Sequence, residues 1–332
     1  MKRSNEQDMV RRALAMAASG KIAEAFIALR DAAAAGSALA AATVAEWRMA
    51  GDLVRRDLAD ARDYYGRAAK LGMEAAAPVY IALLANGAGN LGRDWPAAMG
   101  LLRERAGRDA SSKRQLALID AMTLDEVGSP ISPPTPTTVS VDPEVLRVAS
   151  FLSPAECRYL IERARPQLQP SLVVHPTTGR MVMDPVRKAS SMSFGFVIED
   201  PVIHAIGRRI MATVQIPVEN GESIQVLQYR PGQEYKIHSD ALPPGGSQRT
   251  WTFLVWLNDG FGGGETIFPE AGLTVKGQIG EAIFFRNTDS AGRPLARARH
   301  AGSPVTSGTK LLLSRWIRDR PLDLSGPPGR AF

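Results

Sequence analysis

His238, Ser239 and Asp240 are followed about sixty residues later by His300, and ten residues after that by Lys310. On an extended strand, side chains two apart project from one face, so His238 and Asp240 point the same way and His300 can complete a three-ligand set from elsewhere in the chain. Two imidazoles and one carboxylate leave three positions open, the arrangement expected for a non-haem Fe(II) that binds a bidentate oxoacid and dioxygen together. An H-x-D triplet alone is a weak sign, because most such triplets are surface or core residues. This chain, however, has only four histidines, and His300 opens a turn-rich segment, HAGSPV, that leads into the lysine-bearing apolar strand TKLLLSRWI. Lys310 is followed by Leu311, Leu312 and Leu313, and an ammonium buried among leucines needs an anionic partner. A dicarboxylate would be such a partner; a lysine at an exposed strand end is the plainer alternative. Arg315 is a second possible anchor, but strand alternation sets it on the face opposite Lys310.

From about Ser150 to Asp319 the sequence resembles the prolyl 4-hydroxylase-like branch of the 2-oxoglutarate and Fe(II)-dependent dioxygenases. Five motifs in the family's order carry the resemblance: QVLQYRPGQEYKIHSD, RTWTFLVWLND, GGGETIFPE, GQIGEAIFFRN and HAGSPVTSGTKLLLSRWI. It implies His238, Asp240 and His300 as iron ligands and Lys310 as the partner of the distal carboxylate of 2-oxoglutarate. The hydroxyls of Tyr229 and Thr266 would occupy the remaining acceptor sites of that carboxylate. Trp316 and Arg318 share parity with Lys310, which aims them at the same barrel mouth or its rim. Arg318 stands where family members carry a histidine, and that position, with Tyr235 and Arg249, is expected to approach the substrate or the iron-bound species. Each of the three also has a plain reading: Tyr235 as packing, Arg249 as a solvated strand start, Arg318 as a surface charge.

The activity so implied is hydroxylation of a C–H bond, on a prolyl residue of a peptide or protein, with release of succinate and carbon dioxide. Fe(II), 2-oxoglutarate and dioxygen are the implied cofactors, with ascorbate as a further one. Hydroxylation of a free amino acid or other small molecule is the alternative, since the same core accepts many substrates. A non-catalytic repeat scaffold conflicts with an intact ligand set, and oxidative demethylation of nucleic acid is suggested by net charge alone.

The elements that must position these residues are strands. Segments near MSFGFV, SIQVLQY, WTFLVWL, LTVKG, EAIFFRN and KLLLSRW are rich in β-branched or aromatic residues and bounded by Gly, Pro, Asn or Asp. Gly260, Gly262, Gly263 and Gly264 precede ETIFPE, and Gly277 and Gly280 precede AIFFRN, as tight turns between short strands require. No G-x-x-x-x-G-K-[ST] occurs, so a phosphate loop is not indicated. Six or more such strands closing on themselves give a double-stranded β-helix, the jelly-roll or cupin-like architecture. Before them, SPAECRYLIERARPQL has Ser153 as N-cap and Pro154 in the first turn, the signature of a helix buttressing the barrel. The segment VVHPTTGRMVMDPVRKASS is expected to form a lid over the mouth, with His175 at the surface rather than as a fourth ligand.

The first third of the chain is alanine-rich. DAAAAG, GRAAKLG and LRERAG close on Gly36, Gly72 and Gly107, spaced 36 and 35 residues apart, while RRDLADA and GRDWPAA recur at 37. That period predicts stacked helix pairs of the tetratricopeptide-like kind, able to hold a peptide or protein. Trp47, Tyr64, Tyr65, Tyr80 and Trp95 either line a groove there or, at helical spacing, belong to the core. The stretch EVGSPISPPTPTTVSVDPE can sustain neither helix nor inner strand. The expected organisation is therefore α+β in two domains: a helical repeat domain over 1–125, a proline-rich linker over 126–143 and a dioxygenase barrel over 144–332.

Composition narrows the rest. An apolar content of 45% in 332 residues is that of a globular chain able to bury two cores. A single cysteine, Cys157, rules out an intrachain disulfide and points to a reducing compartment. The N-terminus has no uninterrupted apolar run of the secretory kind, and no later stretch is long enough to span a bilayer, so a cytoplasmic protein is expected. The formal charge of +6 is scattered rather than blocked, which gives no footprint for nucleic acid. Oligomeric state is not encoded in any motif.

Overall fold

The computed structural model describes residues 2–174, 181–195, 199–243 and 245–322; His175 and the central part of the expected lid lie outside the described residues. The chain divides into two compact units, one holding residues up to Ser129 together with 199–205, the other Pro130–Gly195 and Ile206–Leu322.

The first unit contains seven described helices over its N-terminal stretch: α1 Lys2–Ala18, α2 Ile22–Ala34, α3 Ala38–Ala50, α4 Leu58–Lys70, α5 Ala76–Asn86, α6 Trp95–Ala106 and α7 Ala110–Asp120. Alternate helices begin at Ile22, Leu58 and Trp95, a recurrence of 36 and 37 residues. The starts are written in the sequence. Ser37, Asp57, Asp94 and Asp109 each accept a hydrogen bond from a first-turn backbone N–H, satisfying donors that the helix itself cannot. Gly36 and Gly72 follow α2 and α4 at φ +94° and +89°, whereas Gly107 keeps right-handed geometry at φ −69°. Fully buried Ala25, Ala40, Ala41, Ala45, Ala61 and Ala68 bring the helices together. Trp47, Tyr64, Tyr65 and Trp95 are buried and Tyr80 half-buried, so these aromatics serve mainly as core. Among the described residues no helix is long and apolar enough to cross a membrane.

The second unit begins with the hairpin β1 Thr137–Val141 and β2 Glu144–Val148. β1 lies inside the stretch expected to be a linker. It is an edge strand, exposed along most of its length, so it needs partners on one side only, and its threonines and valines favour extended backbone. α8 Pro154–Ala164 follows, opened by a reciprocal capping box between Ser153 and Glu156. Then come β3 Gln169–Pro170, the separate antiparallel pair β4 Leu172–Val174 and β5 Met181–Met183, β6 Ser190–Ser193 and α9 Pro201–Val214, of which residues from Ile206 on belong to this unit. The MSFGFV strand thus starts earlier than its apolar residues suggest, and Phe196–Ile198 lie outside the described residues.

The remaining strands are β7 Gln225–Tyr229, β8 Tyr235–His238, β9 Arg249–Trp256, β10 Gly262–Gly263, β11 Thr266–Phe268, β12 Leu273–Val275, β13 Ala282–Arg286, β14 His300–Gly302, β15 Val305–Ser307 and β16 Lys310–Arg318. They form an eight-stranded antiparallel sheet, β1-β2-β13-β9-β16-β7-β6-β3, and a four-stranded one, β12-β11-β14-β8, with β10 paired to β15. This is the double-stranded β-helix that the sequence implies. β9 and β16 are central and buried on both faces, which explains their near-continuous apolar runs. Trp256, Phe268, Phe285, Leu227 and Leu312 meet in the core beneath the smaller sheet.

Candidate active site

Register decides which side chains meet. His238 ends β8 and His300 opens β14, and the two residues are direct partners across the ladder; their rings lie 4.3 Å apart. Asp240 follows two residues after His238, as alternation requires. Each imidazole is pinned by its inner nitrogen: His238 Nδ1 lies 2.8 Å from the Lys236 carbonyl and His300 Nδ1 3.1 Å from that of Ala298. A proton held on Nδ1 leaves Nε2 as a free lone pair. Those Nε2 atoms stand 3.5 Å (His238) and 3.4 Å (His300) from the two oxygens of Asp240. The Thr252 hydroxyl donates to Asp240 Oδ2 at 2.6 Å and itself accepts from Asn287 Nδ2 at 2.9 Å, so the carboxylate is braced from behind.

Burial alone would raise the Asp240 carboxyl, but the adjacent His300 and His238 outweigh it and hold it well below the usual carboxylate range. Burial pushes the His300 imidazole down to about 4, so it is neutral and able to ligate. The donor atoms of His238, Asp240 and His300 all lie within 4.8 Å of one another. His238 Nε2 is buried without a hydrogen-bond partner, an arrangement that native proteins avoid unless another species completes it. Two imidazoles and one carboxylate, each oriented by a second bond, fit a divalent transition metal with open positions.

The cavity above this triad has an empty volume of about 440 Å³ including its open mouth, and Lys310, Tyr229, Thr266, Tyr235 and Trp316 all line it. Tyr229 and Lys310 are register partners on β7 and β16. Lys310 is 3% exposed and its Nζ donates to the Gly264 carbonyl at 2.7 Å. Burial pushes its ammonium down to about 8, with Glu265 opposing the shift. Burial also raises Tyr229 and Tyr235, which keeps both phenols as hydrogen-bond donors. Tyr235 stacks on His238 with centroids 3.5 Å apart and planes at 14°. Arg315 projects from the other face of β16 and donates to the Glu222 and Gly207 carbonyls.

Gly264 holds the lysine in place. At φ +69° it occupies backbone that L side chains avoid, and a Cβ there would lie 3.1 Å from Lys310 Cδ and 3.2 Å from the Phe261 ring. Gly264→Ala is expected to destabilise the protein by about 1–2 kcal/mol and to weaken dicarboxylate binding. Thermal unfolding and ligand titration of the same sample check both.

Arg249 and Arg318 are not among the residues that line the cavity. The register shifts between Ile317 and Arg318, which breaks the alternation that turns Lys310, Leu312, Ser314 and Trp316 inward. Both guanidiniums bond instead to Glu222, a carboxylate 2% exposed. Arg187 lines the cavity and sits over the Tyr235 ring at 5.7 Å; its segment carries no apolar alternation that could mark it in the sequence. Thr252, Asn287 and Glu222 were equally unmarked, although a threonine within the apolar run WTFLVWL is a signal of a buried hydroxyl needing a partner.

A family model described as the 2OG-Fe(II) oxygenase superfamily matches residues 224–318. Prolyl 4-hydroxylase 1 of Arabidopsis thaliana is 40% identical over 204 residues, covering 56% of this chain and 72% of its own length. Prolyl 4-hydroxylase 2 of the same plant is 31% identical over 230 residues, covering 61% and 77%. Among solved structures, the viral collagen prolyl hydroxylase of Paramecium Bursaria Chlorella virus-1 in its 2OG complex is 31% identical, with 52% of this chain and 95% of that chain covered and a TM-score of 0.42.

Proposed function

The chain belongs to the prolyl 4-hydroxylase branch of the 2OG-Fe(II) oxygenase superfamily, and from that membership we infer that it hydroxylates a prolyl residue in a peptide or protein, consuming 2-oxoglutarate and dioxygen and releasing succinate and carbon dioxide. The observation that carries this reading is the convergence of His238, Asp240 and His300 in one cavity with a buried Lys310. His238, Asp240 and His300 would hold Fe(II), whose chemistry when bound is activation of dioxygen coupled to oxidative decarboxylation of the oxoacid.

The protein's own work is placement. The backbone carbonyls of Lys236 and Ala298 fix both imidazole tautomers, and Thr252 and Asn287 fix the carboxylate. Lys310 would receive the far carboxylate of 2-oxoglutarate in a charge-assisted hydrogen bond, with Tyr229 and Thr266 donating hydroxyls. Tyr235 and Trp316 would wall the space for the prolyl ring and exclude water from it. Ascorbate is assigned as the external reductant. The helical unit is assigned as a tetratricopeptide-like repeat that holds the substrate, supported by helix starts recurring at 36 and 37 residues. A cytoplasmic setting is supported by the lone cysteine.

The sign of the pH dependence follows from Lys310. Its folded value of about 8 lies below the ordinary 10.5, so its charge is present at neutral pH and lost as pH rises through that value. Affinity for 2-oxoglutarate is expected to be level at neutral pH and to fall by up to about tenfold per pH unit above it, as calorimetric titration of metal-loaded protein would show. The reading as a whole is tested by incubation with Fe(II), 2-oxoglutarate and a proline-containing peptide library, followed by mass analysis for gain of one oxygen. Oxidation of free proline and of no peptide would overturn it in favour of a small-molecule hydroxylase.

A further inference from the structure

The wall of the cavity continues outward into a cluster of charge that the metal and oxoacid do not use. Trp316 lines the cavity, and the Arg249 guanidinium covers its ring with Cζ 3.6 Å from the centroid. Glu222 holds Arg249 there, accepting from Nε at 2.7 Å and from Nη2 at 2.9 Å. Arg318, the register partner of Arg249, donates from Nε to the same carboxylate and from Nη1 to the Ser247 carbonyl. Among the described residues no other carboxylate joins this pair: the neighbouring Asp319 accepts from the Ser247 hydroxyl and the Gln248 amide. One carboxylate therefore faces two guanidiniums, and one positive charge is left over. The Nη1 of Arg249 and the Nη2 of Arg318 have no hydrogen-bond partner among the described residues. Both side chains are largely shielded, at 18% and 10% exposed, so salt screens them less than surface charges.

We propose that this rim is a carboxylate-selective subsite, so that the preferred substrate carries an acidic group close to the prolyl ring, as an aspartate or glutamate side chain or as a chain terminus. The proposal rests on the prolyl hydroxylase reading for the ring itself. A planar guanidinium fork matches a carboxylate in a way that neither an amide nor an ammonium can reproduce. Arg318 is the residue that sets the preference, because without it Glu222 would neutralise Arg249 and the rim would carry no net charge.

The test uses the full chain and fluorescein-labelled, terminally blocked peptides that differ only in the residue beside proline: Asp, Asn or Lys. A fourth peptide carries Asn and a free C-terminal carboxylate. Binding is read by anisotropy and hydroxylation separately by mass. The Asp peptide is expected to bind roughly tenfold more tightly than the Asn peptide, with Lys weakest and the gap narrowing as salt rises. Arg318→Gln should erase the gap and Arg318→Lys should keep part of it. Tight binding of the fourth peptide alone supports the subsite and assigns it to a chain terminus. Equal affinities across all four peptides, or preference for Lys, overturn the subsite. If Arg318→Gln does not fold, the wild-type gap between the Asp and Asn peptides and the rank of the Lys peptide still decide. Acid-selective binding with no oxygen gained by any peptide would sink the prolyl reading and leave the subsite standing; hydroxylation without acid preference would do the reverse.

Discussion

Asp240→Ala is expected to abolish turnover, by about three orders of magnitude or more, and to release the metal with it. The carboxylate lies between two imidazoles whose Nε2 atoms are 3.4 and 3.5 Å from its oxygens. It is the single anionic donor of the set, so its loss removes both a ligand and the charge that attracts a dication. His238→Ala should act in the same way. Thr252 would lose the acceptor of its 2.6 Å hydrogen bond, leaving a buried hydroxyl with less to satisfy it. Elemental analysis after loading and gel filtration reads the metal, and succinate release reads the chemistry. A variant that kept a full equivalent of iron would refute the ligand assignment outright.

Lys310→Ala separates metal from oxoacid. The ammonium is buried, lines the cavity from β16 and is not one of the three clustered donors, so its removal is expected to leave iron content unchanged and raise the 2-oxoglutarate requirement about a hundredfold. That figure corresponds to loss of one charge-assisted hydrogen bond in a shielded site. Succinate release as a function of 2-oxoglutarate, beside metal content, distinguishes the outcomes. Loss of iron with an unchanged oxoacid requirement would show that the lysine serves the metal and not the co-substrate.

Much of this site is legible in the sequence because its parts obey local rules. A strand period of two carries His238 and Asp240 to one face and separates Lys310 from Arg315, and both arrangements are seen. The cap of α8 is also read directly, from Ser153 and Pro154 before a helical run. What fails is parity past an irregularity. The shift at Ile317 and Arg318 undoes the alternation on which Arg318 was placed, and no residue type announces it. Glu222 escapes notice for a different reason, since a carboxylate looks like a surface residue until the arginines that share it, 27 and 96 positions away, are folded against it. Short strands such as β8 and β14 contain too few residues for periodicity to declare them, although they hold two of the three ligands.

The pairing of His238 with His300 has one more consequence. Since adjacent strands of a hydrogen-bonded ladder set the distance between these two rings, and main-chain carbonyls set their rotation, the chelate is assembled when the barrel folds and not when the ion arrives. The ordering entropy of the ligands belongs to folding, and an incoming ion meets a receptor already shaped for it, so its intrinsic affinity is expressed almost undiminished.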